Sequence, residues 1–200
     1  MSVFFAIYYF IAFLLMLYGV NCHVMIHLFK RYARLTPERD RNLLKEFYRH
    51  ARWPEELPSV TTQLPIFNEA NVAERVIRAV AAFAYPQGKH QIQVLDDSTD
   101  ETRHFVADIV AELRGQGVDI VHLHRSDRTG FKAGALKKGL ETARGECVAI
   151  FDADFVPPSN FLLQAMPFFQ GAEIGLVQAR WEHLNPTGNL ITRLQSIGID

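Results

Sequence analysis

The sequence predicts an α/β fold built on a mostly parallel sheet, and three observations carry that expectation. From Val60 onward, short apolar runs alternate with helical patterns of ~10–15 residues, the signature of a sheet covered on both faces. Those runs end in polar or acidic residues: Asn68-Glu69, Asp96-Asp97 and Asp152-x-Asp154. An uncharged apolar head, Val3 to Val20, stands apart from the rest.

The head reads VFFAIYYFIAFLLMLYGV, and weakly polar residues extend it through Asn21 and His23 to Phe29. A membrane-spanning helix needs about 20 residues, so residues 1–29 are expected to span. Neither a positive leading region nor a small-residue cleavage site is evident. The positive charges come afterwards, at Lys30, Arg31 and Arg34, which predicts an outside N-terminus and a cytoplasmic soluble part at the inner membrane face.

Residues 30–57 form an amphipathic juxtamembrane segment. Pro37 and Glu38 start a helix, and Leu43, Leu44, Phe47 and Tyr48 recur at helical spacing. Arg39, Arg41, Lys45, Arg49 and Arg52 make it basic beside an anionic leaflet, as a surface helix or as a solvated linker helix. Pro54 and Pro58 end it.

The α/β part occupies residues 58–200. Strands are expected at Val60–Phe67, Ile92–Leu95, Val118–Leu123, Cys147–Phe151 and Ile174–Gln178. Helices are expected at Ala70–Phe83, Thr102–Leu113, within Gly130–Ala143, at Asn160–Phe168 and from Thr187 onward. Gly115, Gly117 and Gly145 punctuate them, and Tyr85-Pro86-Gln87-Gly88 reads as a turn.

A net charge of −1 over 200 residues lacks the basic footprint of a nucleic-acid binder. Two cysteines, Cys22 and Cys147, give no disulfide framework. None of the eight histidines shows a metal-ligand spacing, the helical pair His23 and His27 included. There is no Gly-x-Gly-x-x-Gly after the first strand and no P-loop, which sets aside the ordinary dinucleotide and nucleoside-triphosphate solutions.

Open parallel sheets bind ligands beyond the carboxyl ends of their strands, where the acidic residues fall. Asp152 and Asp154 follow an apolar run directly. Strand geometry would point them apart, so a turn must begin at Asp152 for both to reach one hard divalent ion. Such an ion would neutralise a diphosphate, while Asp96, Asp97 and Glu69 could accept hydrogen bonds from a nucleoside. The run Asp97-Ser98-Thr99-Asp100 also reads as a helix cap. Lys132 sits near a helix N-terminus, where a cation is disfavoured unless a phosphate or carboxylate accompanies it. Arg125 and Arg128 flank the same approach. Gln178 and Arg180 offer donors, and Trp181 offers a flat face of the kind sugars stack on or a core residue.

Five segments in this order resemble the family-two inverting glycosyltransferases: QLPIFNE (Gln63–Glu69), QVLDDSTD (Gln93–Asp100), GFKAGAL (Gly130–Leu136), AIFDADF (Ala149–Phe155) and VQARW (Val177–Trp181). The match is to the membrane-bound cellulose-synthase-like branch, nearest the glucomannan mannosyltransferase and xyloglucan-backbone glucan synthase group. The resemblance covers about Pro58 to Asp200. It implies a GT-A fold and transfer of a hexose from GDP-mannose, GDP-glucose or UDP-glucose to a growing beta-linked polysaccharide. It implies Glu69 and Asp96 or Asp97 at the nucleoside, and Asp152 and Asp154 at the diphosphate with Mg2+ or Mn2+. It also implies Lys132 by the nucleotide sugar and Gln178, Arg180 and Trp181 toward the donor and acceptor sugars. The family's Thr-Glu-Asp motif, which supplies the catalytic base, and its later Gln-x-x-Arg-Trp motif do not follow Trp181. The chain is therefore expected to be an N-terminal piece of the enzyme, with the general base beyond Asp200. Single-sugar transfer to a lipid or small acceptor, or a membrane-anchored nucleotide-sugar-binding subunit, are the other readings. Expected partners are the nucleotide sugar, a glycan or lipid acceptor, the membrane and other synthase subunits, with no nucleic acid.

Overall fold

The structure is a computed structural model, and it describes residues 2–32, 36–50, 55–170 and 173–180. The chain divides into two compact units, Met1–Ala51 and Arg52–Asp200.

The first unit holds two helices. Helix α1, Ser2–Tyr32, is a single 31-residue helix, which at 1.5 Å per residue runs about 46 Å. Its apolar side chains are exposed along its length, and its mean hydropathy of 2.3 and its length suffice to cross a membrane. Lys30 and Arg31 close its last turn. Among the described residues it is the one helix long and apolar enough to cross a membrane, as a membrane anchor requires. Helix α2, Thr36–His50, places Arg39, Arg41, Lys45 and Arg49 in solvent, while Leu43 and Leu44 are half-buried and Phe47 is buried.

The second unit is a four-stranded parallel sheet. Strands β1 (Val60–Ile66), β2 (His90–Asp96), β3 (Ile120–His124) and β4 (Cys147–Ile150) lie in the order β3-β2-β1-β4. All three pairings are parallel. Helix α3 (Ala70–Ala81) links β1 to β2, and α4 (Thr102–Gly115) links β2 to β3. The two helices pack together over one face. Helix α5 (Phe131–Leu140) links β3 to β4. Because β4 returns to the far side of β1, the right-handed crossover rule puts α5 on the opposite face.

The two faces are made differently. Toward α3 and α4 the strands present Val60, Leu64, Ile66, Ile92 and Val94, all at most 2% exposed. Helix α3 meets them with Ala73, Val76, Ile77 and Val80, spaced i, i+3, i+4, i+7, and each large side chain contributes about 1.5–3 kcal/mol on burial. Arg78 of α3 donates to both oxygens of Glu112 on α4, at 3.0 and 2.7 Å, on the outer surface.

Toward α5 the buried layer is polar. Thr61 Oγ1 donates to Gln91 Oε1 at 2.9 Å, Gln63 Nε2 donates to Gln93 Oε1 at 3.0 Å, and Gln93 Nε2 donates to Thr142 Oγ1 at 3.1 Å. Gly139 lets α5 lie against these amides, since a Cβ there would come within 2.5 Å of Gln63 Nε2 and 2.9 Å of Gln93 Oε1.

The expected strand at Ile174–Gln178 is not formed. Residues 174–180 carry no regular structure, and Leu176 is 80% exposed. Apolar character favours a strand, but a strand exists only where a neighbour accepts its hydrogen bonds, and residues 174–178 pair with none of the four strands. The helix expected at Asn160–Phe168 is a single turn, α6 (Phe161–Ala165), followed by a 3₁₀ turn from Met166 to Gln170. Pro167 has no amide hydrogen to continue the α-helical ladder. The helix expected from Thr187 lies outside the described residues.

Candidate functional site

The order β3-β2-β1-β4 reverses direction between β1 and β4, and such a switch point is where open parallel sheets hold ligands, in a crevice beyond the carboxyl ends. Glu69 follows β1 on one side, and Asp152 and Asp154 follow β4 on the other. The chain leaves β4 at Ile150 and turns at once: the Phe155 amide donates to the Asp152 carbonyl at 3.1 Å. That is the turn the Asp-x-Asp spacing demands. Arg75 of α3 reaches across and donates to the Asp154 carbonyl at 3.5 Å.

Glu69 lies within electrostatic reach of Asp152 and Asp154. Burial raises the Glu69 carboxyl pKa above its ordinary value, the negative charges of Asp154 and then Asp152 raise it further, and Lys132 opposes them. Carboxylates are hard oxygen donors, the class that suits Mg2+ or Mn2+ rather than a soft ion. Lys132, in the first turn of α5, forms an ion pair with Asp152 Oδ1. A carboxylate partner thus resolves the conflict between a lysine and the positive end of its helix.

The loop before α5 is held by Arg125. Its Nε and Nη2 donate to both carboxylate oxygens of Asp97, at 2.7 and 2.6 Å. The same guanidinium donates to the carbonyls of Thr129 at 3.3 Å and Phe131 at 3.1 Å. Within this loop Gly130 and Phe131 both take left-handed conformations, φ 75° and 50°. For phenylalanine that backbone is strained, and Arg128 lies 3.2 Å from the ring centre of Phe67 and 5.2 Å from that of Phe131. Asp97 is therefore occupied as the partner of a cation, and Arg125 is a half-buried brace.

Asp96 is fully buried. Its Oδ1 accepts the Ser98 amide at 2.8 Å, and its Oδ2 lies 2.8 Å from His122 Nε2. Burial alone would raise its pKa, but the hydrogen bonds from His122 and Ser98 outweigh that and hold the carboxyl below its usual range. Asp100 rather than Asp97 serves the start of α4, accepting the Thr102 amide at 3.0 Å.

Gln178 and Arg180 are exposed in the irregular stretch, and Trp181 lies outside the described residues. Glu69, Lys132, Asp152 and Asp154 are brought together, whereas Asp96 and Asp97 sit in a second neighbourhood beneath the β2–β3 rim. The residues not anticipated are His122 and His124, whose polar atoms lie with Asp96 within 4.8 Å of one another. The i, i+2 spacing of two histidines on a strand is visible in the sequence, but their carboxylate partner 26 residues away emerges only from the pairing of β2 with β3.

The sequence pattern described as Glycosyl transferase family 2 matches residues 63–197, well over half of the chain. The chain belongs to that family. It is 45% identical over 150 residues to probable glucomannan 4-beta-mannosyltransferase 7 of Oryza sativa subsp. japonica, covering 72% of this chain and 26% of that protein. It is 43% identical over 148 residues to probable glucomannan 4-beta-mannosyltransferase 11 of the same plant, again covering 72% and 26%. The chain spans about a quarter of the length of these curated relatives. Among solved structures it resembles the mannosyltransferase PcManGT from Pyrobaculum calidifontis in complex with GDP-Man and Mn2+, with TM-score 0.56 and 30% identity over 70% of this chain and 41% of that one. A family-two chain with this parallel sheet is consistent with the GT-A fold.

Proposed function

We propose that this chain carries the donor-binding half of an inverting hexosyltransferase that takes its sugar from a nucleoside-diphosphate hexose of the GDP-mannose kind. The convergence of Glu69, Asp152, Asp154 and Lys132 at the β1–β4 crevice carries this reading. The likeness to glucomannan mannosyltransferases and to a GDP-mannose-bound mannosyltransferase supports it.

In this reading Asp152 and Asp154 hold Mg2+ or Mn2+, with Glu69 beside them. The ion, when bound, offsets charge on the diphosphate as it departs. Lys132 then exchanges its pairing with Asp152 for the diphosphate oxygens, so its charge is positioned before the donor arrives. In the transfer, an acceptor hydroxyl attacks the anomeric carbon as the bond to the diphosphate oxygen breaks. The hydroxyl proton passes to a carboxylate base, and the products are a beta-linked sugar and a nucleoside diphosphate. No described residue is assigned as that base. Gln178, Arg180 and Trp181 are assigned to the sugar side.

The acceptor is a growing beta-linked glycan. Residues 1–29 anchor the protein with the N-terminus outside, residues 30–57 lie along the inner leaflet, and residues 58–200 work in the cytoplasm, in company with other membrane synthase subunits. The basic exposed residues of α2 and the Lys30-Arg31 end of α1 support this orientation.

The test is calorimetric titration of the detergent-solubilised chain with GDP-mannose, GDP-glucose and UDP-glucose, with and without Mn2+. GDP-mannose is expected to bind in an Mn2+-dependent manner, and Asp152→Asn with Asp154→Asn is expected to remove that dependence. Equal binding of GDP-mannose by the double variant, with Mn2+ still required, would overturn the assignment.

A further inference from the structure

We propose that Asp96, His122 and His124 form a second divalent-cation site, of imidazole–carboxylate type and suited to Zn2+, separate from the ion at Asp152 and Asp154.

The fold assembles this site from one pairing. His122 and His124 are two residues apart on β3, so they share a face, and Asp96 stands directly opposite His124 in the parallel register. His122 Nε2 lies 2.8 Å from Asp96 Oδ2, and His124 Nδ1 lies 3.7 Å from the same oxygen. A tetrahedral ion with bonds of about 2 Å separates its ligands by roughly 3.3 Å, so these distances need only small side-chain shifts. The Asp96 carboxylate is fully buried, and His124 Nδ1 is buried with no hydrogen-bond partner among the described residues. A buried ring nitrogen left without a partner is costly, and a bound cation removes that cost.

Position and chemistry both separate this site from the crevice. Two steps across the sheet, about 10 Å, lie between β4 and β2, whereas a metal–ligand bond spans about 2 Å. The groups that shift Glu69 are Asp154, Asp152 and Lys132, and those that shift Asp96 are His122 and Ser98, with no member in common. Two imidazoles and one carboxylate favour Zn2+ or Co2+, while the oxygen-only set at the crevice favours Mg2+ or Mn2+. Binding needs both rings neutral and moves the His122 proton from Nε2 to Nδ1. The bound ion would tie β3 to the loop carrying Asp97, because Asp96 also accepts the Ser98 amide and its carbonyl accepts the Arg125 amide at 2.9 Å.

The experiment uses tag-free, chelator-treated full chain carrying His23→Ala and His27→Ala, so that the helical histidine pair cannot contribute. Zn2+ is titrated and bound metal is counted. One equivalent is expected, retained when Asp152→Asn and Asp154→Asn are added. His124→Phe replaces a ring whose buried Nδ1 has no hydrogen-bond partner among the described residues, and is expected to weaken Zn2+ binding by about 100-fold or more, beyond the usual effect of losing an outer-shell partner. X-ray absorption of the zinc-loaded protein, without any change at the site, is expected to report two imidazole ligands. Failure to retain zinc, undiminished binding by His124→Phe, or a spectrum without imidazole scattering would each overturn the proposal. None of these readouts uses a nucleotide sugar, so they stand apart from the donor-binding reading.

Discussion

Arg125 holds both carboxylate oxygens of Asp97, at 2.7 and 2.6 Å, and with the same guanidinium holds the carbonyls of Thr129 and Phe131. The pair is largely buried, the side chains being 17% and 5% exposed. It joins the end of β2 to the loop that launches α5, and so sets where Lys132 begins. Arg125→Lys keeps the charge but cannot serve four acceptors in one plane. We expect it to cost about 2 kcal/mol, the scale of a charged hydrogen bond to a buried partner. Denaturant melts of the variant check this; an unchanged midpoint would show that the fork is dispensable.

Lys132→Met removes the ammonium while keeping most of the stem. Binding of a nucleoside diphosphate is expected to weaken roughly tenfold, about 1.4 kcal/mol, the scale of one charge-assisted contact. Titration with GDP in the presence of Mn2+ reads this directly. Unaltered affinity would leave Lys132 only as the partner of Asp152.

His90 carries a pH dependence. Burial lowers its pKa to about 4, with only partial opposition from Asp119, and the neutral ring lies between Phe83 and Tyr85 with Nε2 2.8 Å from Thr62 Oγ1. The unfolded chain takes up this proton near pH 6.5. Between pH 6.5 and 4 the unfolded state therefore binds the extra proton, and stability declines as the pH falls through that window. A gap this wide is worth about 3 kcal/mol at most. His90→Gln is expected to flatten that part of the stability profile. Parallel slopes for the two proteins would show that other groups govern the decline.

Gly134 is a packing requirement. A Cβ there would overlap the Thr129 carbonyl oxygen and lie 2.9 Å from Arg125 Nη1. The neighbour in the way is backbone, which cannot rotate aside. Gly134→Ala is expected to lose about 1–3 kcal/mol, although alanine favours helices in general. Thermal unfolding followed by circular dichroism measures it, and a stabilised variant would mean the loop shifts freely.

The alternation of strands and helices was legible because each strand is short, apolar and followed by a polar stop. The Asp152–Asp154 turn was legible for the same reason, and the need for an acidic partner at Lys132 followed from helix electrostatics alone. Other features depend on contacts distant in the chain. Asp96 and Asp97 are adjacent and alike in sequence, yet one is buried against His122 and the other is matched to Arg125. Strand alternation sends them to opposite faces, and only the pairing of β2 with β3 decides what each face contains. The residues Ile174 to Gln178 have strand composition and no strand, because pairing is a property of neighbours.

The amides beneath α5 have a consequence for how the sheet assembles. Apolar side chains are nearly indifferent to a strand sliding by two residues, since one aliphatic group replaces another at little loss. The polar pairs are not, because Thr61 Oγ1 must meet Gln91 Oε1 and Gln63 Nε2 must meet Gln93 Oε1 across the two strands. This seam acts as a vernier between β1 and β2, rejecting alignments that oil alone would accept. Its setting travels along the strands to their far ends and decides how Ile66 stands against Asp96, on the rim where the chemistry is proposed to occur.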